Sequence, residues 1–92
     1  SELTPMSERA ITTDRIGDAE SVYLILYNNT ASSKEMRAKA LYQLGLIYMS
    51  EYNTHHDNTK AITYFRMISD EFPNTLVAKK AGKRVSQVIN RQ

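Results

Sequence analysis

Apolar residues recur along this chain at spacings of three and four, the period of a helix with one buried face. In residues 14–28, Ile16, Ala19, Tyr23 and Leu26 share a face, and Asn28, Asn29 and Thr30 end the segment. In residues 34–51 the stripe is Ala40, Leu41, Leu44, Ile47 and Tyr48. Ser32 and Glu35 stand at capping-box spacing ahead of it, and Glu35 with Lys39 is expected to pair along the outer face. Residues 58–71 carry Ala61, Phe65, Ile68 and Phe72, with Asp57 as the expected N-cap. Pro73 stops that helix, because its ring disfavours helical geometry at Phe72. A fourth helix is predicted from Asn74 or Thr75 to residue 89, on Val77 or Ala78, Ala81, Val85, Val88 and Ile89. Residues 1–13 suit either a short helix capped by Thr4 ahead of Pro5 or a mobile arm. No strict apolar–polar alternation and no Asn-Gly or Asp-Gly turn occurs, which argues against a sheet. The expectation is an all-α chain: an N-terminal arm or short helix over residues 1–13, then a helical-repeat domain over residues 14–92.

The stripes repeat. Ala19, Tyr23, Leu26 and Ala31 map onto Ala61, Phe65, Ile68 and Pro73 at an offset of 42. Ala40, Leu44 and Ile47 map onto Ala81, Val85 and Val88 at an offset of 41. Such self-similarity predicts stacked antiparallel helix pairs, each leaving an apolar face that the next pair covers.

Leu44, Gly45, Tyr48, Ala61, Phe65, Ile68 and Pro73 follow the order of a tetratricopeptide (TPR) motif. The interval from Tyr48 to Ala61 is longer than that motif and resembles a Sel1-like repeat, as do Asp57, Lys60-Ala61 and the paired aromatics Tyr64 and Phe65. The loop departs from that pattern by carrying Glu51 and Asn53 where Sel1-like repeats carry glycines. Phe72-Pro73-Asn74-Thr75, leading to Ala78 and Ala81, resembles repeats of bacterial cell-envelope lipoproteins, such as Tol-Pal-associated and outer-membrane assembly factors. The resemblance implies antiparallel helix pairs forming a fragment of a right-handed α-solenoid, with Gly45 letting two helices approach closely.

It also implies a function: a non-catalytic adaptor, chaperone or assembly factor that binds a peptide or partner helix on its concave face. The alternative is a structural fragment of a longer repeat protein that self-associates or stacks on further repeats. Carried over position by position, the concave face takes Lys39, Tyr42, Gln43, Leu46 and Met49 from one helix and Lys80, Lys83, Arg84 and Gln87 from another. Leu46 and Met49 lie off the core stripe, so they either line a groove or pack beneath the first helix or the N-terminal arm. Tyr42 and Tyr52 are expected near the surface. An apolar wall beside cations suits a partner of acidic character. The resemblance places the chain in the periplasm or cell envelope, the cytoplasm being the alternative. The chain starts at Ser1 rather than Met, as a processed form does, so a leader or lipid-anchor cysteine is compatible with it. Membrane association is expected only through such an anchor.

Ninety-two residues, 41% hydrophobic and 24% charged, describe a globular chain. No apolar run approaches the ~20 residues of a membrane-spanning helix. A net charge of +2 is too small to argue for nucleic acid. Without cysteine, disulfides and thiolate metal sites are excluded. His55-His56-Asp57 invites a metal reading but lacks further ligands at zinc spacing, and it suits a polar loop whose Asp caps the next helix. No nucleophile elbow or phosphate-binding glycine loop is present, so neither catalysis nor a cofactor is expected. Lys79, Lys80, Lys83 and Arg84 are either the solvated side of a terminal helix or a wall for an acidic partner segment.

Overall fold

The computed structural model describes residues 2–91; Ser1 and Gln92, the outermost residues of the two expected segments, lie outside the described residues. The described residues form five helices and no strand: α1 (Pro5–Thr12), α2 (Ile16–Asn28), α3 (Lys34–Met49), α4 (Asn58–Glu71) and α5 (Leu76–Arg91). The protein is therefore all-α, as the periodicity predicts.

Local chemistry sets the boundaries. Thr4 accepts a hydrogen bond from the Ser7 amide with Pro5 at the first helical position, so a short α1 forms. It ends in a Schellman motif. Arg15 N–H reaches Ala10 C=O and Asp14 N–H reaches Ile11 C=O, with Asp14 at φ 57. α2 thus begins at Ile16, two residues after the expected start. Ser33, not Ser32, caps α3, accepting from the Met36 amide. Asp57 caps α4 as expected, accepting from Lys60 N–H. Glu35 completes no capping box and makes no pair with Lys39. Its two carboxylate oxygens instead accept the amides of Leu76 (2.9 Å) and Val77 (3.1 Å) at the start of α5. Free amides at a helix N-terminus attract a carboxylate more strongly than an exposed lysine does.

α3 is the central element and packs against all four other helices. Every residue from Ala40 to Met49 is buried. The expected stripe on α3 is therefore too narrow: a helix enclosed on all sides has no polar face over that stretch. The loop after α3 is organised by Asn53. Its amide group donates to Ile47 C=O and its carbonyl oxygen accepts from His55 N–H. This side chain supplies the turn where the resemblance expects glycine.

α3 and α4 meet at Gly45. A β-carbon there would stand 2.3–2.6 Å from three ring atoms of Phe65, so the closest approach of the two helices needs the missing side chain. The core extends through Ala19 and Tyr23 of α2, Ala61, Phe65 and Ile68 of α4, and Val77, Ala81 and Val88 of α5. Leu26, expected in the α2 stripe, is instead half exposed, because it opens onto a hollow beside α3.

Candidate functional site

The wall formed by α3 and α5 carries a trough, and the chain's own residues Glu2–Thr4 lie across it. Each contact has a distinct chemistry. The Glu2 carboxylate accepts from Arg84 Nη2 (2.6 Å) and Tyr42 Oη (2.6 Å) and pairs with Lys80 Nζ at 3.3 Å. Arg84 Nε also donates to Tyr42 Oη at 3.3 Å, closing a triangle of acid, phenol and guanidinium. Gln43 holds the backbone: its Nε2 donates to Glu2 C=O (2.9 Å) and its Oε1 accepts from Thr4 N–H (3.1 Å). Gln43 Oε1 also accepts from Ser7 Oγ, which shares a hydroxyl cluster with Thr4 Oγ1 and Tyr23 Oη.

The electrostatics follow from these contacts. The Arg84 and Tyr42 hydrogen bonds, with help from Lys80, hold the Glu2 carboxyl down to about 2 against the opposing effect of burial. The Arg84 guanidinium is raised in turn by its bond to Glu2. Burial, then the bond to Glu2, pushes the Tyr42 phenol up.

Glu2 lines two hollows on the surface. One, about 450 Å³, is bordered by Leu3, Leu46, Met49, Tyr52, Arg84 and Arg91. The other, about 420 Å³, is bordered by Leu26, Met36, Lys39, Tyr42, Val77 and Lys80. Met36 at 59% exposure and Leu26 at 45% present apolar surface there.

The residues carried over from the resemblance are thus largely brought together. Leu46, Met49 and Arg84 border the first hollow, and Lys39, Tyr42, Gln43 and Lys80 the second. Gln87 accepts from Arg84 Nη1 at 3.1 Å, and exposed Lys83 stands outside both. Leu46 and Met49 are buried and border the hollow that Glu2 and Leu3 also line. Tyr42 is only 5% exposed, against expectation, because Glu2 and Arg84 cover its hydroxyl, whereas Tyr52 is 89% exposed. Sequence reasoning missed Glu2 and Leu3 and gave Thr4 only its role as a helix cap. The available signal was one acid ahead of a Thr-Pro cap, with a basic stretch on the last helix.

Comparison with known proteins finds no matching family profile, no matching curated protein and no matching solved structure. The site is therefore read from its own chemistry. No helix among the described residues is long and apolar enough to cross a membrane. Among the described residues no three His, Cys, Asp or Glu side chains form a metal-holding group. His55 Nε2 lies 3.1 Å from Asp14, while Asp57 serves as a cap.

A second polar cluster, away from the trough, ties α2 to α3 and α4. The Glu20 carboxylate accepts from Tyr64 and Tyr48 hydroxyls and from Lys60, which also lies 4.5 Å from the Tyr48 ring centre. Burial raises the Glu20 carboxyl, but the three hydrogen bonds outweigh it and leave it below the ordinary value. A depressed folded-state value stabilises the fold above about pH 4.5, where the unfolded carboxylate is charged, and that contribution disappears as pH falls through the depressed value. Glu20→Gln is expected to be less stable than the parent at pH 7. Urea melts should show the gap narrowing below pH 4.5. A gap unchanged by pH would remove the network from the stability account.

Proposed function

We propose that this chain is a non-catalytic protein-interaction module, an adaptor, chaperone or assembly factor, that binds an extended peptide or partner helix on the wall formed by α3 and α5. One observation carries the reading. That wall combines exposed apolar side chains, cations and a backbone-binding glutamine, and it already holds a stretch of polypeptide. The TPR/Sel1-like arrangement is part of the same proposal. It is supported by equivalent roles at equivalent positions. Ala19 and Ala61, Tyr23 and Phe65, Ala40 and Ala81, and Ile47 and Val88 are buried pairs. Ser33 and Thr75, 42 residues apart, each accept from the amide three residues on. In such a fragment of a right-handed α-solenoid, α3 and α5 are the first helices of successive pairs and line the concave face. An envelope or secretion setting rests on the lipoprotein-like Phe72–Thr75 stretch alone.

A photo-crosslinking side chain at Lys39 or Lys83 should capture the partner, and one at Arg66, exposed on α4, should not. Once the captured protein is purified, Lys39→Glu with Lys83→Glu should weaken its binding at least tenfold without lowering the melting temperature. Both positions are exposed, so lost binding cannot be blamed on unfolding. Equal capture from Arg66, or unchanged affinity in the charge-reversed chain, would move the interface elsewhere.

The self-stacking alternative is favoured by a different face. Exposed Met6 and Val22 border a hollow of about 180 Å³ between α1 and α2, and Ile25, 70% exposed, follows Val22 by three residues on α2. Sedimentation of the chain distinguishes the two: a concentration-dependent dimer that Ile25→Glu abolishes supports stacking.

A further inference from the structure

The trough holds residues 2–4 through two distinct kinds of contact. Two readers act side by side. The carboxamide of Gln43 clasps one residue's C=O and the N–H two residues later, a pattern that requires a locally extended backbone but no particular side chain. Arg84, Tyr42 and Lys80 converge on a single carboxylate from the first of those two residues. Neither reader depends on the covalent link between Glu2 and α1. From the Glu2 position, open hollows extend on both sides, one bordered by Leu46 and Met49 and the other by Leu26, Met36 and Val77. Those hollows stay open with the strap in place.

We infer that the trough binds, in trans, an extended partner segment in which one acidic side chain is flanked by apolar residues, and that Glu2–Thr4 is the resident competitor it displaces. This rests on the protein-binding reading above and deepens it. A tethered competitor acts at an effective concentration near millimolar, so it lowers the apparent affinity of any incoming segment. Displacement parts the three side-chain contacts of Glu2, the two Gln43 bonds to the strap backbone and the packing of Leu3 against the core. Thr4 Oγ1 remains in place as the cap of α1. An incoming segment that fills the apolar hollows gains burial that the strap lacks.

The probe is the chain's own sequence, the capped and fluorescein-labelled peptide acetyl-Glu-Leu-Thr-Pro-Met-Ser-amide. It is titrated by anisotropy against the full chain and against Glu2→Gln and Glu2→Arg. The peptide should bind the two variants at least tenfold tighter than the parent, with affinity falling as salt rises. A peptide with Gln in place of Glu should lose at least tenfold, and Arg84→Glu in the Glu2→Gln background should abolish binding. Far-ultraviolet circular dichroism and melting curves establish that each variant is folded. Glu2→Gln keeps the shape of the strap should Glu2→Arg fail that check. Equal binding to parent and variants, binding indifferent to the peptide's charge, or a folded variant that binds nothing would each overturn the inference. If the partner captured from Lys39 still docks while the acidic peptide does not, the interaction-module reading stands and only its acidic specificity falls. If neither binds, both fall.

Discussion

Phe65→Ala is expected to destabilise the protein by about 3–5 kcal/mol. The ring is fully buried, lies against the bare backbone of Gly45, and meets Tyr42 with ring centres 5.6 Å apart. Removing it deletes apolar contact with both helices and leaves a void where α3 and α4 are closest. Those helices carry backbone that cannot collapse inward to fill it. A domain of this length has a total stability of roughly 5–14 kcal/mol, so the loss takes a large share of it. The melting temperature should fall by more than about 12 °C. Urea melts should show a lower midpoint with little change in slope. An unshifted midpoint would mean that Phe65 does not anchor the α3–α4 contact.

Gly45→Ala should destabilise by about 2 kcal/mol or more, although alanine is the better helix former. Propensity favours the substitution by about 1 kcal/mol. Against it stands a methyl group 2.3, 2.5 and 2.6 Å from three Phe65 carbons, well inside van der Waals contact. Relief requires α3 and α4 to separate or a fully buried ring to leave its place, and overpacking of this kind costs about 1–3 kcal/mol or more. The two effects are separable by experiment. Gly82→Ala, on α5 with nothing near its would-be β-carbon, should stabilise by up to about 1 kcal/mol. In a Phe65→Leu background the penalty at Gly45 should shrink, giving a coupling energy above about 0.5 kcal/mol. Additive effects would show that the close approach is not made by this pair.

The same two residues illustrate what is legible locally. The 42-residue offset that aligns Tyr23 with Phe65 rests on a period-3.6 pattern, and helices α2 to α5 fall within about two residues of the spans read from it. Exact ends were less legible. Ser32 and Ser33 are chemically alike, and only the backbone geometry of Ser33, at φ −63 and ψ 156, selects the cap. The role of Glu35 was misread for a related reason. Its local partner Lys39 is four residues away on the helix, but the amides of Leu76 and Val77 come from 41 and 42 residues further along the chain.

The candidate site was half legible. Lys39, Tyr42, Gln43, Lys80 and Arg84 could be assigned to one wall only by carrying positions over from the TPR-like resemblance. Their engagement by Glu2 could not, because Glu2 and Arg84 are 82 residues apart and no periodicity connects an extended strap to a helix face. For this protein, then, the chain's apolar rhythm, its Thr4, Asp57 and Pro73 punctuation and the glycine at position 45 settle that it is helical, roughly where each helix runs, and which pair must pack closest. These are short-range consequences of backbone sterics and side-chain spacing. Which side of α3 the N-terminal residues cover, which acid meets Arg84 and how the strap crosses the trough arise only when distant segments are packed together. Burial and charge pairing at those points depend on neighbours that lie far away along the chain.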